Sequence, residues 1–123
     1  MSRIVVIEDN PNNMELITII LKHHGHEPFP AFSGISGLEE IERVQPDFVL
    51  LDIQLPDIDG YEVLNRIRAR SQHAKLPVIA LTSYAMAGDR QKLLVAGCNG
   101  YIEKPINPET IVEQIENVVR SCK

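Results

Sequence analysis

A chain of 123 residues falls in the commonest size range for one domain, with room for a real core and none for a second domain, so the expectation is a single domain over 1–123. Hydrophobic residues at 44% and charged residues at 24% are ordinary globular values that exclude a disordered chain, and the absence of any apolar run of bilayer length argues against membrane insertion. A formal net charge of -5 at pH 7 works against direct nucleic-acid binding, which relies on clustered Lys and Arg to neutralise phosphates.

No charged leader followed by a long apolar stretch opens the chain, so the expected location is cytoplasmic. Cys98 and Cys122 are too few and too isolated for a disulfide framework, and both are expected as free thiols.

In chain order, the apolar run Arg3-Ile4-Val5-Val6-Ile7 reads as a buried strand that ends in Glu8-Asp9-Asn10. Asn10-Pro11 then supplies an N-cap and a proline at the first helical position, where its missing donor costs nothing. Met14, Ile17 and Leu21 form one stripe of this helix, and Gly25 closes it after Lys22-His23-His24. The two adjacent histidines do not share a helix face, so they read as a solvated pair and not as metal ligands. Glu27 to Ala31 carries two prolines and is at best a short edge strand.

A second helix is expected from Ser33-Gly34 to Val44, ended by Gln45-Pro46. Gly34 and Gly37 do not make a phosphate loop, because the longer Gly-rich spacing and the Lys-Ser/Thr pair are missing. The next strand, Phe48-Val49-Leu50-Leu51, stops at Asp52 and gives way to the loop Ile53-Gln54-Leu55-Pro56-Asp57-Ile58-Asp59-Gly60. A third helix is expected from about Tyr61 to Arg70, its basic end Arg66-Ile67-Arg68-Ala69-Arg70 complementing the helix dipole as a solvated face. Pro77 to Ser83 is another apolar strand, which ends in the hydroxyls of Thr82 and Ser83. A fourth helix over roughly Ala87 to Ala96, a brief strand Tyr101-Ile102-Glu103 ending at Lys104-Pro105, and a last helix from about Pro108 to Ser121 complete the chain.

Strand and helix alternate five times, which argues a doubly wound α/β fold with a parallel sheet and right-handed crossovers. In such sheets ligands bind outside the carboxyl ends of the strands. The residues collected there are Glu8, Asp9, Asp52, Thr82 and Lys104. Hard oxygen ligands of this kind suit Mg2+. A phosphoryl group in flight spreads negative charge over its oxygens, so a metal, an ammonium and a hydroxyl around it stabilise the transition state, and a carboxylate can take the group covalently. The plainer alternatives are a turn-starting Asp52, separate solvated acids, a strand-filling Thr82 and a surface Lys104.

With these motifs on the page, the chain resembles the receiver domain of two-component response regulators from Arg3 to about Cys122, of the single-domain, stand-alone type. The resemblance rests on Glu8-Asp9, on Leu50-Leu51-Asp52-Ile53-Gln54-Leu55-Pro56 with Gly60, on Thr82-Ser83 and on Lys104-Pro105. It implies a flavodoxin-like, five-stranded parallel sheet in order 2-1-3-4-5 flanked by five helices. It also implies Mg2+ on Asp9, Asp52 and the backbone carbonyl of Gln54, with Glu8 acting through water, and a cis peptide before Pro105. Asp52 is then the acceptor of a phosphoryl group from a histidine kinase or histidine phosphotransfer protein. Thr82 and Tyr101 are the switch residues, and the face of the fourth helix, fifth strand and fifth helix changes for a downstream effector protein. The chain departs from the family in Glu8, where the shorter Asp is commoner.

Such a protein assists its own phosphorylation and dephosphorylation without turning over external substrates. No effector domain follows Lys123, so output is expected through another protein. The alternatives are a magnesium-dependent phosphohydrolase working through an aspartyl phosphate, and a docking scaffold with the same fold. The hydrolase would need a second acid two residues after the nucleophile, where Gln54 stands. In the family the positions of Gln54 and Tyr84 influence attack by water on the phosphoryl group, and Tyr84 is expected to shield it. Leu16, off the first helix's apolar stripe, and Pro105-Ile106 are expected to form an apolar patch that docks the partner.

Overall fold

The computed structural model describes residues 2–83 and 87–121, so Tyr84 and Cys122 lie outside the described residues. Five strands alternate with five helices: β1 (Arg3–Ile7), α1 (Pro11–His23), β2 (Glu27–Ala31), α2 (Gly34–Val44), β3 (Phe48–Asp52), α3 (Gly60–Ala69), β4 (Val78–Thr82), α4 (Ala87–Ala96), β5 (Gly100–Glu103) and α5 (Ile111–Ser121). All the strands are parallel, in the order β2-β1-β3-β4-β5.

Local chemistry sets the helix ends. The Asn10 side chain accepts from the Asn12 and Asn13 amides at 2.9 and 3.1 Å, and Pro11 opens α1. At the other end Gly25 takes φ +82°, which lets the His26 amide reach back to the Leu21 carbonyl at 3.0 Å. Ser33 and Ser36 form a reciprocal cap on α2, and Asp59 caps α3 through the Glu62 amide at 2.9 Å.

Strand alternation splits the core into two layers, because successive side chains point to opposite faces. Val5, Ile7, Val49, Leu51, Val78 and Ala80 meet Ile41, Val44, Val63, Leu64, Ile67 and Leu93 beneath α2, α3 and α4. Ile4, Val6, Leu50, Ile79 and Leu81 meet Met14, Ile17, Leu21, Ile111 and Ile115 beneath α1 and α5. β3 and β4 are buried along their whole length, which explains why their sequences are unbroken apolar runs.

The prolines of β2 fall where they close an edge. The Glu27 amide donates to the Ser2 carbonyl at 2.9 Å and the Glu8 amide to the Ala31 carbonyl at 3.0 Å, so alternate residues of β2 face β1. Pro28 and Pro30 occupy the intervening positions and remove the outward N–H groups that another strand would use.

Three details differ from the sequence expectation. The last helix begins at Ile111, not Pro108, because Asn107 draws the preceding residues into a turn, its side chain accepting from the Glu109 amide at 2.9 Å and its carbonyl from the Thr110 amide at 3.2 Å. A single 3-10 turn, Ser71–His73, follows α3 and buries His73. The basic end of α3 is not wholly a solvated face, since the Arg68 guanidinium turns inward onto backbone carbonyls of two neighbouring loops.

Chain direction reverses between β1 and β3: β1 leads outward to β2, while the chain returns to place β3 on the other side of β1. This is the switch point at which parallel sheets open a crevice beyond the strand ends. The pairing of Ile7 with Leu51 puts Glu8 beside Asp52 there.

Candidate functional site at the strand ends

Each site residue is held by the end of a different strand. Glu8 follows β1, Asp52 ends β3, Thr82 ends β4 and Lys104 follows β5. Glu8 is fully buried, with Asp52 and Thr82 only 2% and 3% exposed, whereas Asp9 faces solvent. Burying two carboxylates requires a counter-charge, and Lys104 supplies one. Its Nζ lies 3.0 Å from Asp52 Oδ2 and 3.0 Å from Glu8 Oε2, and donates to Glu8 Oε1 at 3.3 Å.

The remaining oxygens are partly satisfied. Asp52 Oδ1 accepts from the Gln54 amide at 3.0 Å, and Glu8 Oε1 accepts from the Asn13 side-chain amide at 3.3 Å and the Asn10 amide at 3.4 Å. Glu8 Oε2 is buried and, despite its proximity to Nζ, accepts no hydrogen bond. Burial pushes the Asp52 carboxyl above its ordinary range; the Gln54 amide and Lys104 oppose this, and the charge of Glu8 adds to it. Burial works against the Lys104 ammonium, but its hydrogen bonds to Asp52 and Glu8 prevail and raise its pKa. One ammonium shared by two buried acids therefore leaves the carboxylates under-neutralised.

Glu8, Asp9 and Asp52 each offer an oxygen within 4.8 Å of the others. Three hard oxygen donors, a buried Glu8 oxygen that accepts no hydrogen bond and a deficit of positive charge make the cluster compatible with a small divalent cation.

The other expected residues sit around this centre. Gln54 is exposed in the loop after Asp52. That loop folds back closely enough that only glycine fits at position 60, where a Cβ would lie 2.5 Å from the Ile53 Cα and 3.0 Å from the Asp52 carbonyl oxygen. Tyr101 is half-buried against the core layer under α3 and α4, with the Arg90 guanidinium 5.3 Å from its ring centre. Leu16 and Ile106 are half-buried against the opposite layer, Pro105 is exposed, and the Lys104–Pro105 peptide is cis. Cys98 is a buried free thiol whose pKa burial pushes up to about 11, so it is unreactive in the folded chain.

Asp57 has a role the sequence did not reveal. Its carboxylate accepts from the Gly34 and Ile35 amides at 2.8 and 2.9 Å, occupying the anion position at the start of α2. These two amides hold its pKa down at about 2. A depressed acid stabilises the fold above its ordinary pKa, and that contribution is lost as pH falls through the folded value. Asp57→Ala is therefore expected to melt a few degrees below wild type near neutral pH, with the gap closing between about pH 4 and about pH 2 in paired thermal melts. A gap that does not change with pH would contradict the capping role.

Comparison with known proteins agrees with this geometry. The family model of the response regulator receiver domain matches residues 4–116. The polar-differentiation response regulator DivK of Brucella ovis is 35% identical over 114 residues, covering 93% of each chain. Among solved structures, the receiver domain of a Pseudomonas aeruginosa sensor histidine kinase, with a magnesium ion coordinated in its active-site cleft, aligns with a TM-score of 0.87 at 34% identity, covering 97% of this chain and 98% of that one. The chemotaxis response regulator CheY4 of Vibrio cholerae, at 24% identity and a TM-score of 0.92 over 96% and 98% of the two chains, shares the fold. With the matching fold and acidic strand ends already in view, the chain belongs to the response regulator receiver domain family and serves two-component signal transduction as a phosphoryl-accepting module.

Proposed function

We propose that Asp52 is the phosphoryl acceptor and that the whole chain, 1–123, is one cytoplasmic receiver domain. The observation that carries this is Lys104 Nζ, held 3.0 Å from both Asp52 and Glu8 at the switch point of the sheet. Asp52 attacks the phosphorus of a phosphohistidine on a histidine kinase or phosphotransfer protein. The N–P bond breaks as the O–P bond forms, and the imidazole, protonated beforehand on its other ring nitrogen, leaves as the neutral base. The Lys104 ammonium and the Thr82 hydroxyl stabilise the charge that develops on the transferred oxygens.

Glu8 (through water), Asp9, Asp52 and the backbone carbonyl of Gln54 would hold Mg2+, which supplies charge neutralisation for the incoming phosphoryl group. The magnesium-bearing Pseudomonas aeruginosa receiver domain supports this choice of ion. Leu16, Pro105 and Ile106 dock the donor protein. Phosphorylation moves Thr82 and Tyr101 and alters the face of α4, β5 and α5 toward a separate effector protein.

Incubation with Mg2+ and acetyl phosphate is expected to add one phosphoryl group that hydroxylamine removes at neutral pH, as an acyl phosphate requires. A label that survives hydroxylamine would sit on a hydroxyl and would refute the acceptor assignment.

A further inference from the structure

We propose that Asn13 is a positioning residue for the metal site: it ties down one oxygen of Glu8, so that the other is left for the water through which Glu8 reaches Mg2+. The inference rests on the reading of Glu8, Asp9 and Asp52 as the Mg2+ cluster. Asn10 is the N-cap of α1, and Asn13 stands three residues later, where the Glu or Gln of a capping box reaches back to the N-cap amide. Here the Asn13 Nδ2 donates to Glu8 Oε1 at 3.3 Å instead, and the Asn10 amide donates to the same oxygen at 3.4 Å. The Glu8 carboxylate, arriving from the end of β1, thus fills the place of the capping-box acid. It does so at a helix end that carries no acid in its own first turn and favours negative charge.

The two oxygens of Glu8 are therefore unlike. Oε1 collects three donors, the Asn13 side chain, the Asn10 amide and Lys104 Nζ at 3.3 Å. Oε2 is buried, lies 3.0 Å from Nζ and accepts no hydrogen bond. Glutamate has one more rotatable bond than aspartate and a soft terminal torsion, so a buried Glu8 offers a defined oxygen only where its neighbours fix the carboxylate plane. Lys104 does not suffice, because an ammonium is a point charge that sets a distance and no plane, and it is shared with Asp52 at 3.0 Å. Asn13 is a fixed donor on a rigid element, its backbone amide held by the Asn10 side chain at 3.1 Å. It is the companion that a glutamate, as against an aspartate, requires at this strand end.

Mg2+ titration of the unphosphorylated full chain, by calorimetry and by the Mg2+ dependence of the melting temperature, tests this without phosphoryl chemistry. Asn13→Ala is expected to raise the Mg2+ dissociation constant about tenfold or more, the scale on which residues that orient metal ligands act. Should that variant fail to fold, Asn13→Ser is expected to show the same loss. Glu8→Asp separates positioning from a merely structural role. One methylene shorter, its carboxylate stops short of the Asn13 side chain, so adding Asn13→Ala to Glu8→Asp should change the constant less than about twofold. An unchanged constant in Asn13→Ala, or an equal loss with and without Glu8→Asp, would overturn the positioning role while leaving the metal cluster standing. Failure of the wild type itself to bind Mg2+ would overturn the cluster reading, and the role of Asn13 with it.

Discussion

Lys104→Met is expected to slow phosphoryl acceptance from acetyl phosphate by about a hundredfold or more, the scale on which removal of one preorganised charge-stabilising donor acts. Methionine keeps the length and apolar stem of the side chain, so packing survives while the ammonium is lost. Glu8 and Asp52 then share a buried site that has lost the counter-charge of Lys104. Removing one member of a buried ion pair costs about 3–5 kcal/mol, and protonation of a carboxyl offers the cheapest relief. The sign of the pH effect follows. Asp52, already raised by burial, rises further; a raised acid penalises the fold above its folded pKa and not below its unfolded value. The stability gap between Lys104→Met and wild type, taken from urea unfolding without added metal, should therefore be widest near pH 7 and narrow toward about pH 4. Equal gaps at both pH values, with labelling unchanged, would mean that Lys104 is a bystander.

Removal of Mg2+ is the second large effect. An incoming phosphoryl group meets three carboxylates within 4.8 Å of one another and one ammonium, an arrangement of like charges that opposes attack. Excess chelator should nearly abolish labelling, and Asp9→Ala should lower it by about a hundredfold, the range expected when a charge-neutralising ligand is lost. A second readout needs no phosphoryl chemistry. Mg2+ at a hundred times its dissociation constant should stabilise the wild-type fold by about 2.7 kcal/mol, and Asp9→Ala should show little of this shift. Normal labelling in chelator, or an equal Mg2+ effect on melting of both proteins, would rule out this site.

Much of this centre was legible in the sequence because it depends on short-range signals. An apolar run that ends in Asp52, another that ends in Glu8-Asp9 and a third that ends in Thr82 each declare a buried strand with a polar tip, and parallel order brings the tips together. The cap at Asn10 was readable for the same reason. Asp57 and Arg68 were not, since their long-range partners include backbone groups 22 to 29 positions away whose positions only the fold defines. A loop acid and a helix-end arginine have the same composition whether they face water or bridge two elements. The start of α5 was misplaced because Asn107 competes locally for the amides that a helix beginning at Pro108 would use.

Chemical mapping of the phosphoryl group tests the central claim most directly. Wild type, Asp52→Ala, Asp57→Ala and Asp59→Ala are incubated with Mg2+ and acetyl phosphate and the modified peptides identified by mass spectrometry. Asp57 and Asp59 cap helices, so their variants are expected to label at Asp52 as wild type does. Asp52→Ala should carry no label; a phosphoryl group retained at wild-type level in that variant would contradict the account.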